Sequence, residues 1–316
     1  MKFALALAAV LLTSPAWAAS ECPRGSLDRK YCDSDGDLLA DPPADGKFID
    51  PSTLIFAYTP VEDPSLYTDV WQSFLAHLSK VTGKKVTLFQ VQSNAAQLEA
   101  LRSGRLHVAG VNTGGVPIAV NCTGFVPFSI MGGPTGPFGY EMEIIVPAAS
   151  PIKTPADLKG RTVAFSAPTS NSGFKAPTVI LKQDFGLEAN KDYKTTFSGK
   201  HDTSVQGVAN GDYEAAAIAN EVIQQMVVRK AVDTSKFRSI YKSQTFPTTG
   251  YGYLHSLKPE LVAKIKEAFF TFPFKDSTLQ EKAFPHLDRF QALSYAKDWD
   301  FVRKIDAASG VSYDCK

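Results

Sequence analysis

Strand-like and helix-like segments alternate through most of this chain, and their order narrows the fold more than any other feature. In the first half, strands are predicted at 54–58, 85–91 and 106–111, with helices at 66–80 and 94–104 between them. Strand, helix, strand, helix, strand is the order of a parallel α/β sheet with right-handed crossovers. The first half therefore predicts one α/β unit.

The same order returns in the second half. After an apolar strand at 141–146, strands at 162–165, 193–197 and 215–219 alternate with helices at 178–185 and 203–210. We place a first crossing between two lobes near Pro147 and Pro151 and a return near 245–250. Helices near 259–270 and 299–309 would then complete the first lobe.

The predicted fold class is α/β, with two mainly parallel or mixed sheets joined by a hinge of two crossings around a central cleft. Ligands in such folds bind at the carboxyl ends of strands. The predicted divisions are a signal peptide at 1–18, an extension at 19–51, lobe 1 at 52–146 plus 248–316, and lobe 2 at 147–247.

Residues 1–18 have the features of a secretory signal peptide. Lys2 precedes an apolar core at 3–12, and residues 14–18 offer the small-x-small pattern of a signal peptidase site. The core is shorter than the roughly 20 apolar residues of a membrane span. We expect export from a bacterial cytoplasm and a soluble periplasmic protein that begins near Ala19.

Four cysteines follow: Cys22, Cys32, Cys122 and Cys315. In an oxidising compartment, an even number of cysteines favours disulfide pairing. Cys22 with Cys32 and Cys32 with Cys315 are both open alternatives. Either pairing leaves Cys122 as a candidate free thiol.

The extension contains four aspartates around a glycine turn. Asp33, Asp35, Asp37 and Asp41 stand at relative positions one, three, five and nine. Alternating carboxylates at a glycine turn are how proteins gather oxygen ligands for Ca²⁺. The pattern resembles the aspartate loops of thrombospondin-type calcium repeats, although Leu38 stands where glycine is usual. The alternatives are a structural calcium site and an acidic, solvated leader before a linker at 42–46.

Residues 167–177 predict a strand that runs into a polar turn and then a helix. Ser170, Asn171 and Ser172 precede Gly173 in this turn. The first amides of a helix have no intrahelical acceptor, and the helix dipole adds partial positive charge, so the turn can hold an anion without a formal cation. In one interpretation Ser170 or Ser172 is only an N-cap. In the other, the turn receives a small ligand with several acceptor oxygens.

Segments at 157–165, 199–202 and 209–217 accompany this turn. Together they resemble the periplasmic phosphate/phosphite/phosphonate-binding proteins of ABC transporters, a PhnD-like family, from about residue 54 to the C-terminus. The most specific part of this resemblance is the Ser-x-Ser-Gly turn at 170–173 together with the later Gly-x-His-Asp motif at 199–202. The Asp-Leu-Lys-Gly motif at 157–160 is less specific, because it occurs in many binding proteins. The resemblance implies a type II periplasmic binding protein that captures a small oxyanion and delivers it to an ABC permease.

The resemblance also implies roles for individual residues. In that family the Ser-Thr-Ser turn wraps the phosphorus-bound oxygens, which gives this role to the turn Ser170 to Gly173, with Asn171 where threonine is usual. The family's histidine corresponds to His201, a second donor to the oxyanion, with Asp202 beside it.

Departures from the family pattern concern the organic part of the ligand. Aminophosphonate binders carry tyrosines where this chain has Asn94 and Val111, so we expect no aromatic wall. Glu221 could bind the ammonium group of an aminophosphonate, or it could lie at the solvated start of a helix. The small polar side chains of Asn112 and Thr113 could contact a compact ligand directly. We therefore expect phosphite, phosphate or a small phosphonate.

Related binding proteins serve arsenic-sensing histidine kinases, and this gives an alternative function. The protein would then bind an arsenic oxyanion and contact the sensor domain of a kinase. A soft trivalent arsenic centre seeks a thiol, for which Cys122 is the candidate. The other interpretation of Cys122 is a small buried apolar residue.

Charge and motif content argue against other classes. Lys plus Arg total 33 and Asp plus Glu total 32, a balance that suggests neither nucleic acid nor an anionic membrane as partner. Ser172, His201 and Asp202 form the one plausible hydrolase set, but the chain has no Gly-x-Ser-x-Gly elbow, and adjacent His and Asp side chains seldom orient each other. We expect a monomeric binding protein with no catalytic residues and no cofactor, apart from calcium in the first of the two interpretations of the aspartate loop.

Overall fold

The structure is a computed structural model that describes residues 22–313 and residue 315. The predicted signal peptide at 1–18 lies outside the described residues. Within the described ranges, none of the helices combines the length and the apolar character that a membrane crossing requires.

The described residues form two β-sheets. Their strands are β1 (Thr53–Tyr58), β2 (Lys85–Leu88), β3 (Val108–Val111), β4 (Phe125–Gly133), β5 (Gly136–Pro137), β6 (Gly139–Pro147), β7 (Thr162–Phe165), β8 (Lys194–Phe197), β9 (Ala215–Ala219), β10 (Phe237–Pro247), β11 (Gly250–Leu254) and β12 (Arg289–Ala292). The larger sheet has the order β12-β4-β11-β3-β1-β2, with β5 paired to β4, and the smaller has the order β10-β6-β9-β7-β8. Parallel pairs lie beside antiparallel ones in both sheets, so the predicted α/β class with mixed sheets is confirmed.

Helices pack around both sheets. They are α1 (Tyr67–Val70), α2 (Gln72–Thr82), α3 (Asn94–Arg102), α4 (Val116–Thr123), α5 (Ala176–Phe185), α6 (His201–Asn210), α7 (Asn220–Val228), α8 (Pro259–Phe270), α9 (Thr278–Lys282), α10 (Tyr295–Asp298) and α11 (Asp300–Ala308). Short 3₁₀ turns lie at Pro64–Leu66, Pro155–Leu158 and Thr234–Lys236, and a π-helical turn at Asn171–Lys175 precedes α5. Helices α2 and α5 end at Gly83 and Gly186 in the left-handed conformation, as glycine stop signals predict.

Helix α4 gave no amphipathic signal in the sequence. Every residue of α4 except Ile118 is buried, so its side chains show no alternation between an apolar and a polar face. Helical periodicity is detectable only when one face meets water. The predictions therefore left residues 116–123 without a helix.

The first crossing between the sheets lies earlier than predicted. β6 pairs with β9 and β10 of the smaller sheet, with Gly139 opposite Pro247. Residues 139–146 therefore belong with the second half, and their placement in lobe 1 is wrong, because an apolar strand does not reveal in its own sequence which sheet it joins. Pro147 ends β6 and does not mark the crossing. The chain crosses between β5 and β6 and returns between β10 and β11.

The C-terminal part completes the core of the larger half. Phe269 of α8 and Phe290 of β12 pack on Phe74 of α2, with ring centroids 4.7 and 5.3 Å from it. Tyr251 of β11 lies 5.1 Å from Phe290. This aromatic cluster joins α2 to C-terminal elements of the chain. It thereby holds β11 and β12 in the larger sheet, which forms one side of the cleft.

Two disulfide bonds join all four cysteines. One links Cys22 to Cys32, a separation of 10 residues, and the other links Cys122 to Cys315, a separation of 193 residues. The Cys32 with Cys315 alternative is therefore wrong. Cys122 is no free thiol, and the prediction that it could bind arsenic is wrong as well. Its partner comes from the far end of the chain, and local spacing does not reveal such a pair.

The disulfide between Cys122 and Cys315 should stabilise the fold substantially. Replacing both with serine should lower the free energy of unfolding by roughly 2–5 kcal/mol, because the unfolded chain gains the freedom of a long closed loop. Urea unfolding followed by circular dichroism measures this. The matched control is the double replacement Cys22→Ser and Cys32→Ser, which opens a short loop and should cost less. Equal stability of the parent and the Cys122→Ser/Cys315→Ser variant would contradict this assignment.

Candidate ligand-binding site

A small cavity lies between the two halves of the fold. Its accessible volume is only about 10 Å³, far below the roughly 300–1,000 Å³ typical of sites for drug-sized ligands. Both halves contribute to its lining, which consists of Val61, Asn112, Thr113, Tyr140, Ser170, Asn171, Ser172, His201, Ala219, Glu221 and Thr249. Most of the residues predicted from the sequence are thus brought together.

Three helices of the smaller half begin at this cavity. The turn Asn171–Lys175 and α5 follow β7, α6 begins at His201 after β8, and α7 begins at Asn220 directly after β9. Because these strands are parallel, their carboxyl ends lie at one edge of the sheet. First-turn amides and the positive ends of three helix dipoles therefore converge there. This arrangement favours an anion although none of the described lysines and arginines lines the cavity.

Ser170 is both a helix cap and a lining residue. Its Oγ accepts a hydrogen bond from the Gly173 N–H at 2.9 Å, which caps the turn. At Gly173 an added Cβ would lie 1.8 Å from Ser166 Oγ, so only glycine fits behind Ser170. The two interpretations of this turn are therefore compatible, since the cap holds Ser170 at the cavity.

Hydrogen bonding fixes the tautomer of His201. The backbone N–H of Ala219 donates to His201 Nδ1 at 3.1 Å, so the ring proton sits on Nε2. Nε2 lies 3.2 Å from Ser170 Oγ and 3.4 Å from Ser166 Oγ. Burial lowers the pKa of His201 to about 4, and the ring is neutral at pH 7. With Gly173 and His201 both donating to its Oγ, Ser170 keeps its own hydroxyl proton for the cavity.

Tyr140 is a lining residue that the sequence predictions missed. Its hydroxyl oxygen accepts a hydrogen bond from Asn171 Nδ2 at 3.1 Å. Burial raises the pKa of Tyr140, so its phenol stays protonated and can donate. Asn171 Oδ1 is buried and accepts no hydrogen bond from any residue that the structure describes. Tyr140 lies at the start of β6. It reaches the cavity because β6 belongs to the smaller sheet, which the sequence did not predict.

The larger half contributes the loop after β3. Thr113 Oγ1 donates to the Pro247 carbonyl at 2.8 Å, so this hydroxyl holds the returning crossing. Asn112 Oδ1 is likewise buried with no hydrogen-bond partner within the described ranges. Thr249, another lining residue that was missed, lies 3.4 Å from the Tyr58 hydroxyl through its Oγ1. Asn112 and Thr249 are thus the polar groups that this half offers to a ligand.

Glu221 is the one carboxylic acid in the lining. Burial, reinforced by the charge of Glu62, raises the pKa of Glu221 to about 8. A large fraction of this carboxyl is therefore protonated at neutral pH, and a protonated carboxyl can donate a hydrogen bond. Glu62 in turn pairs with Arg229, and Arg229 does not line the cavity.

Three predicted site residues lie outside the lining. Gly173 lies behind the turn, as described above. Asn94 Nδ2 donates to Thr169 Oγ1 at 3.0 Å, which joins the two halves. Asp202 Oδ2 accepts from the Asp63 N–H at 3.1 Å, a second link between the halves. The structure thus gives Asn94 and Asp202 the geometry of bridging residues at the rim.

A buried ion pair holds the halves together behind the turn. Lys175 Nζ donates to Asp306 Oδ1 at 2.7 Å and to the Gly114 carbonyl at 2.8 Å. The side chains of Lys175 and Asp306 are 4% and 1% exposed. Tyr313 donates to the other oxygen of Asp306 at 2.8 Å. The lysine nearest the turn is therefore committed to the C-terminal helix and not to a ligand.

The aspartates of the extension lie apart from this cavity. Carboxylate oxygens of Asp33, Asp35 and Asp37 lie within 4.8 Å of one another, whereas Asp41 is not part of this group. Asp41 Oδ2 instead accepts from the Ser34 N–H at 2.9 Å. The predicted four-aspartate set is therefore a cluster of three with Asp41 closing the loop.

Comparison with known proteins identifies the family. Residues 56–299 match the family described as the phosphonate ABC transporter, periplasmic substrate-binding protein. The chain belongs to this family. Its members are substrate-binding components of ABC transporters and not enzymes, and they work outside the cytoplasm with an ABC permease.

Two curated relatives resemble this binding protein over much of its length. The "Phosphate-import protein PhnD" of Mycolicibacterium smegmatis is 23% identical over 325 residues, which cover 99% of this chain and 95% of the relative. The "Phosphonates-binding periplasmic protein" of Escherichia coli is 25% identical over 217 residues, which cover 67% of this chain and 63% of the relative.

Solved structures show that the binding protein has the type II periplasmic binding fold. A binding protein component of an ABC phosphonate transporter from Pseudomonas aeruginosa superposes with a TM-score of 0.72 at 21% identity and covers 83% of this chain and 90% of its own. PhnD1 from Prochlorococcus marinus, in complex with methylphosphonate, gives 0.70 at 17% identity, with 82% and 98% covered.

The ion pair behind the turn supports a stability prediction. Lys175→Met leaves the Asp306 carboxylate buried without its cation and should lower the free energy of unfolding by about 3–5 kcal/mol. The double variant Lys175→Met/Asp306→Leu should regain most of that loss. Urea unfolding measures both.

Lys182→Met is the matched control, because Lys182 forms an exposed pair with Glu188. Exposed pairs contribute about 0–1 kcal/mol. A Lys175→Met variant no less stable than this control would show that the buried pair does not hold the halves together.

Proposed function

We propose that this binding protein captures phosphite, phosphate or a short phosphonate in the cavity between its halves and delivers it to an ABC permease. The observation that carries the proposal is the convergence of neutral donors on the cavity around Ser170 and His201. We also propose that it acts as a periplasmic monomer after removal of residues 1–18.

Neutral donors are sufficient for the affinity of a transport protein. A hydrogen bond to a charged group contributes about 1.5–3 kcal/mol, so four of them give roughly 6–12 kcal/mol before ordering costs. A micromolar dissociation constant requires about 8 kcal/mol. The Ser170 hydroxyl, the Tyr140 hydroxyl and the first-turn amides of Asn171 and Ser172 supply such donors. Because no cationic side chain is needed, the ligand can also be released.

The side chains that line the cavity restrict the organic part of the ligand. Its lining has two aliphatic side chains, Val61 and Ala219, and one aromatic ring, Tyr140. Asn94, which stands where aminophosphonate binders have a tyrosine, is bonded to Thr169 outside the lining. With so little apolar surface, the lining favours a phosphonate with at most a short alkyl group over an aminophosphonate with a longer chain.

Glu221 adds a requirement for a proton. An ionised carboxylate would repel an oxyanion, so the complex must contain one proton shared between Glu221 and the ligand. Either the protonated Glu221 donates to the anion, or the anion keeps a proton and donates to Glu221. Phosphorus oxyanions meet this condition because their second ionisation lies near neutral pH.

The alternative function, an arsenic-binding partner of a histidine kinase, was favoured by a free thiol at Cys122. Cys122 is bonded to Cys315, so no thiol is available to a trivalent arsenic centre. Membership in a family of transporter components favours the permease over a histidine kinase as the partner.

Calorimetric titration with phosphite, phosphate, methylphosphonate, sulfate and arsenate tests the proposal. We expect micromolar binding of at least one phosphorus oxyanion, and a loss of about tenfold or more on Ser170→Ala and on Ser172→Ala, because each variant removes a hydroxyl group from the lining of the cavity. Circular dichroism checks that the loss of the Ser170 cap has not unfolded the protein.

Ser198→Ala is the matched control. Ser198 Oγ lies 2.6 Å from Ser204 Oγ at the start of α6, and Ser198 does not line the cavity. Its affinity should stay close to that of the parent. Affinity within about threefold of the parent in both turn variants would refute the site.

The proton requirement predicts a pH dependence with a definite sign. Below about pH 8 Glu221 is protonated and can donate. Above that pH it ionises, and affinity for phosphite should fall by about tenfold per pH unit. In Glu221→Gln the amide donates at every pH, so this fall should disappear.

The other titratable groups near the ligand do not produce the same effect. His201 is neutral over this whole range, and Tyr140 stays protonated. Burial raises the pKa of Glu62 to about 7 despite the nearby Arg229, so its ionisation occurs below the predicted fall. A fall above pH 8 of the same slope in Glu221→Gln and in the parent would contradict the proton requirement.

A further inference from the structure

Independently of the oxyanion cavity, we propose that Asp33, Asp35 and Asp37 form a structural Ca²⁺ site in the N-terminal extension. The three side chains surround the turn at Gly36, whose φ of 75° favours glycine. The metal is a resident ion that stabilises the extension and takes no part in ligand capture.

The spacing of the oxygens suits one calcium ion. Carboxylate oxygens of the three aspartates lie within 4.8 Å of one another. Calcium binds oxygen at 2.3–2.6 Å, so two oxygens on the same ion lie at most about 5 Å apart. Calcium takes 6–8 oxygen ligands in flexible geometry, and backbone carbonyls and water can supply the remainder.

Asp33 distinguishes this loop from a solvated acidic leader. Its side chain is only 6% exposed. Oδ2 accepts a hydrogen bond from the Leu38 N–H at 3.1 Å, but Oδ1 is buried and has no hydrogen-bond partner among the described residues. A buried carboxylate oxygen that is neither hydrogen-bonded nor paired with a cation destabilises the fold. A cation between the three carboxylates satisfies it.

No side chain in the described part of the protein forms an ion pair with the aspartates of the loop. None of the ion pairs formed within residues 22–313 includes Asp33, Asp35, Asp37 or Asp41. Like charges held within a few ångströms repel one another, and the repulsion is strongest where one of them is buried. A divalent cation converts this repulsion into attraction.

The fold anchors both ends of the loop at one histidine. Tyr31 packs edge-on against His255, with ring centroids 4.9 Å apart, and His255 Nδ1 lies 2.9 Å from the Asp41 carbonyl. Cys32, next to Asp33, is bonded to Cys22. Calcium in the loop would therefore rigidify the extension where it packs on the larger half.

Calcium titration of the mature full-length protein after treatment with a chelator tests the proposal. We expect saturable binding of Ca²⁺ with a dissociation constant of roughly 10⁻³ M or tighter, as in extracellular calcium modules. Thermal unfolding should shift upward with Ca²⁺ and less with the same concentration of Mg²⁺, which demands a stricter octahedral geometry.

Asp35→Asn and Asp33→Asn should each weaken Ca²⁺ binding by at least tenfold and reduce the thermal shift. Asp35 is exposed, so its variant tests the site even if Asp33→Asn fails to fold. The matched control is Asp45→Asn, an exposed aspartate of the same extension that pairs with Lys47. It should bind Ca²⁺ as the parent does.

Phosphite affinity at a fixed temperature below unfolding should be the same with and without Ca²⁺, which keeps this test separate from that of the oxyanion cavity. The proposal is overturned if the parent shows no saturable Ca²⁺ binding, if Ca²⁺ and Mg²⁺ shift unfolding equally, or if Asp35→Asn and Asp45→Asn behave alike.

Discussion

An anion that leaves water must find its lost hydrogen bonds replaced by donors already in position, and this constraint organises the site. A flexible lysine would supply charge, but the lysine of the Asn171–Lys175 turn is held by Asp306. The anion must therefore be bound by neutral hydrogen-bond donors, which bind tightly only if they are already oriented before the ligand arrives. The Ala219 amide sets the tautomer of His201, His201 and Gly173 donate to Ser170, and the Ser170 proton is left for the cavity.

The architecture supplies this orientation through the ends of its strands. Parallel strands β7, β8 and β9 are each followed by a helix at the same edge of the smaller sheet, so three helix N-termini lie close together. The parallel pairing alone produces this arrangement. The larger half then closes the cavity through contacts that are themselves hydrogen bonds, such as His201 N–H to the Val61 carbonyl at 3.1 Å. Capture and closure therefore use the same residue, with the His201 ring facing the cavity and its backbone joining the halves.

Local features of the site could be predicted from the sequence, whereas features that depend on pairing could not. The turn at Ser170 follows from small polar residues before a glycine and a helix, and its cap is visible in the chain itself. His201 required the family resemblance, because a lone histidine has no local signal. Tyr140 was missed because an apolar strand does not reveal which sheet it joins. Cys122 was misjudged because its partner lies 193 residues away.

The central claim is that oriented neutral donors, and no cationic side chain, hold the anion. A crystal structure of the protein with bound phosphite tests it most directly. We predict the phosphorus atom in the cavity between the halves, with its oxygens about 2.5–3.2 Å from Ser170 Oγ, the Tyr140 hydroxyl and an amide of the turn. A phosphite seated elsewhere, or one held by a lysine or arginine side chain, would contradict the account.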